Sequence, residues 1–233
     1  MQFALQIWNG ACGKIRLMQI IHVDEHLLII NKPAGLSILP DGWDKNAAYL
    51  VKLLEAQYGK IWVVHRIDKV TSGIVVFALT AESHRSLNIQ FEKHQVEKIY
   101  HAILTGAPKW DEKITKFPLR MNVGYKHRTV VDNKSGVRAE TRFRILKRYQ
   151  ASALAEAMPM TGRTHQIRVH AYALGHPLLG DVLYSAPETG IIPRPALHAY
   201  SLKFTHPNTI EAMNFKTAYP EDFQSALDML GKK

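Results

Sequence analysis

Residues 73–79, read in one-letter code as GIVVFAL, limit the fold most. They are β-branched and apolar throughout after the opening glycine, and such a run reads as a buried strand. IWVV at 61–64 reads the same way. Between the two lies HRIDKVTSG (65–73), which sets one carboxylate between two cations and ends on Thr71, Ser72 and Gly73, residues that favour a tight bend. Asp68 is therefore expected on a loop held between two core strands. Taken alone, that carboxylate is either a working group or the cap of the bend.

The rest of the chain reads as more strands than helices. Residues 18–25 and 27–31 suggest two strands and a turn, with turn chemistry following at 32–35. Strands are also expected at 96–104, at 138–145 (one face apolar, the other presenting arginines) and at 152–160, where both faces are mostly apolar. Helices are expected over 47–58 with Gly59 as stop, and over 81–94 with Thr80 as N-cap and Leu87, Ile89 and Phe91 inward. Two more are expected: one from a Thr164 cap to about Ala173, with Gly175 after it, and a short one from Pro220 carrying Phe223, Ala226, Leu227 and Leu230. Strands and helices do not alternate regularly. That pattern predicts an α+β fold: one catalytic domain on a mixed, largely antiparallel β-sheet flanked by helices.

Hydrophobic residues make up 46% of 233, enough for a globular core. With 30 Lys and Arg against 20 Asp and Glu, the formal net charge is +10, which points to a polyanionic partner, nucleic acid first. The basic excess concentrates between Arg120 and Arg148, with nine Lys or Arg and two acids. This stretch reads either as a phosphate-tracking surface or as an edge guarded by charge. A single cysteine, Cys12, excludes an intramolecular disulfide and a Cys-rich zinc site and fits a reducing compartment. No apolar run approaches membrane-span length, and the first residues lack the basic start of a signal peptide, so a cytoplasmic location is expected.

No phosphate-binding or dinucleotide glycine motif, no HExxH and no Gly-x-Ser-x-Gly elbow occurs. His22 and His26, four apart, straddle a turn and do not suggest a metal pair. Three polar clusters on apolar segments remain: HRID, Tyr100 within VEKIYHAIL, and GRTHQIRVH at 162–170. Arg163, His165 and Arg168 together on a buried face would need a carboxylate, for which Asp68 is a candidate. The nulls are a core aromatic for Tyr100 and a solvated helix start for 162–170. The residues by themselves reach a basic, cofactor-free, nucleic-acid enzyme with Asp68 as acid, base or nucleophile.

Seven stretches in order resemble the RluA-type RNA pseudouridine synthases: NKPAGL (31–36), HRIDKVTSG (65–73), KIYHA (98–102), GRTHQIRVHA (162–171), GHPLLGD (175–181), LHA (197–199) and FTHP (204–207). The resemblance implies a synthase domain over 18–233. Residues 1–17 are then expected to be an extension of unknown role, with Met18 an alternative start, and the S4-type domain of many relatives is not found. It implies that Asp68 is the catalytic aspartate, that Tyr100 stacks on the target base and that Arg168 pairs with the aspartate. Arg66 is placed near the flipped nucleotide and Ile167 at the uracil pocket. The usual HRLD is HRID here, a tolerable aliphatic exchange. No cofactor or metal is implied; the partner is transfer or ribosomal RNA, a stem-loop, bound by a monomer. Two other classes stay open at this point: a ribonuclease using His65 and His165 as acid and base, and a non-catalytic RNA-binding module.

Overall fold

The computed structural model describes residues 4–8, 15–40, 46–125 and 127–232, and strands outnumber helices in it. In chain order come β1 (Ala4–Trp8), β2 (Ile15–Val23), β3 (Leu27–Lys32), α1 (Leu50–Tyr58), β4 (Trp62–Val63), β5 (Ser72–Ala78) and α2 (Ala81–Glu92). There follow β6 (Glu97–Thr105), β7 (Glu112–Thr115), β8 (Leu119–Val123), β9 (Arg128–Val131), β10 (Thr141–Arg148), β11 (Ser152–Pro159) and α3 (Gln166–Ala173). The chain ends with β12 (Leu197–Thr205), β13 (Ala212–Lys216) and α4 (Glu221–Gly231). This is the α+β class that the pattern predicts. Cys12 and Lys126 lie outside the described residues.

Two compact units share the chain: Met1–Glu97 with Ala199–Ala218, and Lys98–His198 with Tyr219–Lys233. In the first, antiparallel pairing runs β1-β2-β3-β5, β4 also pairs with β5, and β13 pairs with β12. The boundary expected at Met18 falls inside β2, whose hairpin partner β1 matches Ala4 to Gln19. Every residue of β5 is buried. Ile74, Val76 and Ala78 share one cluster with Leu27 and Ile29 of β3, Leu87 of α2, and Leu202 and Phe204 of β12. Thr80 caps α2 as expected, its hydroxyl accepting from the Ser83 amide at 3.1 Å. Ile89, expected inward, is 40% exposed; Leu87 and Phe91 carry the packing. Gly73 opens β5 at φ 116°, and a Cβ there would lie 2.3 Å from the Ala199 carbonyl oxygen, so only glycine fits.

Asp24 ties the β2–β3 turn to the FTHP stretch. Its Oδ1 accepts the amides of His26 and Leu27 at 2.7 and 2.8 Å. Its Oδ2 meets Nε2 of His22 at 2.7 Å and of His206 at 3.2 Å. His206 Nδ1 accepts two backbone amides, of Asn208 and Thr209, so its Nε2 carries the proton and donates. Burial alone would raise the Asp24 pKa, but the His22 ring, the two amides and His206 outweigh it and hold the group at about 2. A depressed carboxylate stabilises the fold above its unfolded value of 3.8 and loses that contribution as pH falls toward 2. Asp24→Asn is therefore expected to cost about 1–2 kcal/mol at neutral pH, allowing for partial exposure, and nothing near pH 2. Thermal unfolding of both proteins across that pH range checks it.

The second unit pairs its strands antiparallel in the order β6-β11-β10-β7, beside the hairpin β8–β9. Alternation along β6 sorts its side chains. Tyr100, Ala102 and Leu104 join Ala155, Ala157, Ile167 and Ala171, whereas Ile103 packs with Phe223 and Ala226 of α4. α3 does not begin at a Thr164 cap. His165 adopts the left-handed conformation at φ 55°, and Gln166 is the first helical residue. Gln166 Oε1 takes the Thr161 hydroxyl at 2.6 Å and the Arg163 amide at 3.1 Å, so a glutamine inside the helix does the work of the cap.

Candidate active site

Asp68 lies partly buried in the loop between β4 and β5. Local sequence fixes this loop at several points. His65 Nε2 accepts the Val76 amide at 3.1 Å, and its ring stacks on Phe91 at 4.8 Å between centroids. Ile67 is 8% exposed and acts as the apolar anchor, while Arg66 beside it is exposed. The bend is closed by backbone, the Thr71 amide donating to the Asp68 carbonyl at 3.0 Å.

Lys32, from the NKPAGL stretch, has 0% exposure. Its ammonium donates to the carbonyls of Pro33 at 3.0 Å, Leu36 at 2.9 Å and Lys69 at 3.2 Å. The Lys69 carbonyl also accepts the Gly35 amide at 2.7 Å. A buried cation thus fastens one loop to the residue that follows Asp68. Three convergent carbonyls are what make burying it tolerable.

The second unit holds Tyr100, Ile167 and Arg168. Tyr100, partly buried, packs against the cluster that contains Ile167, so these two expected pocket residues do come together. Arg168 is 4% exposed. Its Nε and Nη2 donate to Asp181 at 2.7 and 2.8 Å, a bidentate pair with a carboxylate that is itself fully buried. Its guanidinium also lies 5.1 Å from the centre of the Tyr184 ring. Asp181 closes the GHPLLGD stretch. The preceding Gly180, at φ 75°, leaves no room for a Cβ, which would stand 2.3 Å from the Arg194 carbonyl oxygen. Lys32 and Asp181 were quoted in the sequence motifs without a role. Their buried charges, each matched by partners distant in sequence, are what give them one.

The other polar residues of 162–170 brace α3. Gln166 Nε2 donates to the Glu140 carbonyl and the Thr141 hydroxyl, and His170, one helical turn on, reaches Thr141 and the Phe117 carbonyl. Burial pushes the His170 ring below its ordinary pKa, partly offset by the Phe117 carbonyl, which fits a neutral structural imidazole. His165 Nδ1 lies 3.0 Å from the Tyr184 hydroxyl. The histidines that a ribonuclease would use are thus both engaged in holding loops, His65 on β5 and His165 on Tyr184.

The basic stretch is not a bare positive strip. Arg120 pairs with Asp132 at 2.9 Å, Arg142 with Glu112 at 2.7 Å, Arg148 with Asp111 at 2.7 Å, and Arg144 with Glu156. Glu112 on β7 and Glu156 on β11 come from the strands on either side, so the arginine face of β10 is charge-matched across the sheet. Exposed pairs of this kind are worth at most about 1 kcal/mol and exchange readily with solvent or phosphate.

With these positions fixed, similarity to known proteins decides the reaction. The family model for RNA pseudouridylate synthase matches residues 26–173, which takes in Lys32, Asp68, Tyr100 and Arg168. The chain belongs to that family. The dual-specificity RNA pseudouridine synthase RluA of Haemophilus influenzae is 38% identical over 200 residues, 85% of this chain and 91% of that protein. Ribosomal large subunit pseudouridine synthase D of Zymomonas mobilis is 34% identical over 230 residues, 91% of this chain and 73% of that one. The solved structure of human RNA Pseudouridylate Synthase Domain Containing 4 superposes with a TM-score of 0.75 at 28% identity, covering 91% of this chain and 92% of that one. The chain is thus an RNA pseudouridine synthase of the RluA type, an isomerase of uridine in RNA. Among the described residues, no helix is long and apolar enough to cross a membrane.

Proposed function

We propose that this synthase converts specific uridines of transfer RNA, ribosomal RNA or both to pseudouridine, with Asp68 as the catalytic carboxylate. The target leaves its stack, at a cost of a few kcal/mol unless it is already unpaired. Tyr100 receives the base on its ring, Ile167 lines the apolar side, Arg66 lies by the nucleotide, and Arg168 pairs with Asp68. The C1′–N1 bond then breaks with its electron pair going to uracil. The ring turns, C5 bonds to C1′, and the C5 hydrogen leaves as a proton. Asp68 either attacks C1′ or removes the C2′ proton; both routes need a fixed carboxylate and neither needs a metal or redox cofactor.

The observation that carries this reading is the rigid presentation of Asp68, between a histidine seated on β5 and a carbonyl gripped by the buried Lys32. Preorganised carboxylates lose little entropy on reaching the reacting geometry. The substrate class is supported by the names of the relatives, one dual-specificity and one ribosomal. We place the enzyme in the cytoplasm, acting as a monomer on a stem-loop recognised by shape. The test incubates unmodified transfer-RNA and ribosomal-RNA transcripts separately with the protein, then digests each to nucleosides. Pseudouridine should replace uridine one for one in at least one pool, with RNA length unchanged. Shortened RNA, or full-length RNA without pseudouridine in either pool, would overturn it.

A further inference from the structure

Lys98 opens the second unit, two residues before Tyr100 on β6. Side chains two apart on a strand share a face and lie roughly 7 Å apart along it. Lys98 is therefore on the face of Tyr100, Ala102 and Leu104, the face that packs with Ile167. Pairing of β6 with β11 runs to Tyr100 opposite Ala157, so Lys98 lies one pleat beyond its pairing with β11. The adjacent acid, Glu97, is taken by Lys203 at 2.9 Å. Among the described residues none gives the Lys98 ammonium a hydrogen bond or an ion pair, and burial alone pushes its pKa down. Lys98 is itself partly exposed, and a partly desolvated cation beside an apolar face is a functional-site candidate.

We infer that Lys98 is a further catalytic residue. Its ammonium donates to a carbonyl oxygen of the target uracil and holds the negative charge that the base acquires when the C1′–N1 bond breaks. The inference rests on Tyr100 stacking that base, as proposed above. Charge balance requires such a partner. As the electron pair moves to uracil, one negative charge appears on the base inside an apolar, desolvated setting, where a fixed cation acts most strongly. A backbone phosphate is the less suitable ligand, because phosphates stay hydrated and are met by exposed arginines and lysines rather than by an amine on a core face.

Three variants test it on unmodified RNA in single turnover at saturating enzyme: Lys98→Met, Lys98→Gln and wild type. Lys98→Met should lose about 100-fold in the saturating rate, with RNA affinity unchanged. Lys98→Gln, which retains an uncharged donor, should lose less. Thermal unfolding of Lys98→Met should occur at the same or a higher temperature than in wild type, because a partly desolvated charge has been removed. A retained rate in Lys98→Met would overturn the inference. So would weakened RNA binding with an intact saturating rate, the signature of a phosphate contact, or a lowered unfolding temperature, the signature of a structural brace. An inert wild type would overturn the assigned reaction itself, which separates that failure from failure of the Lys98 role alone.

Discussion

Asp181→Asn is expected to lower the thermal unfolding midpoint by roughly 10 °C and to abolish most of the activity. The carboxylate has 0% exposure and accepts two of the Arg168 N–H donors. An asparagine of the same shape removes the carboxylate charge that faces the buried guanidinium over two hydrogen bonds. Breaking one side of a buried pair costs about 3 kcal/mol or more, because the remaining charge keeps its desolvation penalty. For a chain of this size each kcal/mol is worth roughly 2–4 °C. The same argument makes the double variant Arg168→Met/Asp181→Leu more stable than the single one, since both charges leave together. It should nonetheless stay inactive, because Arg168 is gone. Calorimetry of the three proteins, with activity alongside, separates the stabilising role of the pair from the role proposed for its arginine.

Asp68→Asn is expected to reduce the rate of pseudouridine formation by at least about 1,000-fold in a folded protein that still binds RNA. The neighbouring loop contacts run through the His65 ring, the Ile67 side chain and the carbonyls of Asp68 and Lys69, none of which the substitution touches. Removing a negative charge from a surface that meets RNA should hold affinity constant or raise it. A rate loss accompanied by a matching loss of affinity would assign Asp68 to binding instead.

The parts of the fold legible in sequence were those set by local chemistry. β5 is an apolar run and is buried along its whole length; α2 begins at the threonine that chain pattern places there; Phe223 and Ala226 of α4 pack inward. α1 starts at Leu50 rather than Ala47, and β4 is only Trp62–Val63. β7, β8, β9 and β13 escape pattern reading because each spans only four or five residues, which gives a period of two little room to show. The start of α3 escapes because Gln166, a residue without a strong capping preference, gathers the donors that Thr164 would have taken. For the candidate site, ordered motifs point to Asp68, Tyr100, Ile167 and Arg168, the residues for which roles are proposed. The partners of the buried charges were not legible: Asp181 is 13 residues from Arg168 and Lys69 is 37 from Lys32, separations that no local pattern records. The arginine face of β10 shows the same limit, since its matching acids stand on neighbouring strands.

The most direct measurement is tritium release from RNA transcribed with 5-tritiated uridine, with wild type and Asp68→Asn compared side by side. Joining uracil to the sugar through C5 must expel the C5 hydrogen, so each conversion frees one label into water. The account predicts release by wild type, with RNA of unchanged length, and none above background by a folded Asp68→Asn protein that still binds RNA. Equal release by both proteins would contradict the assignment of the chemistry to Asp68.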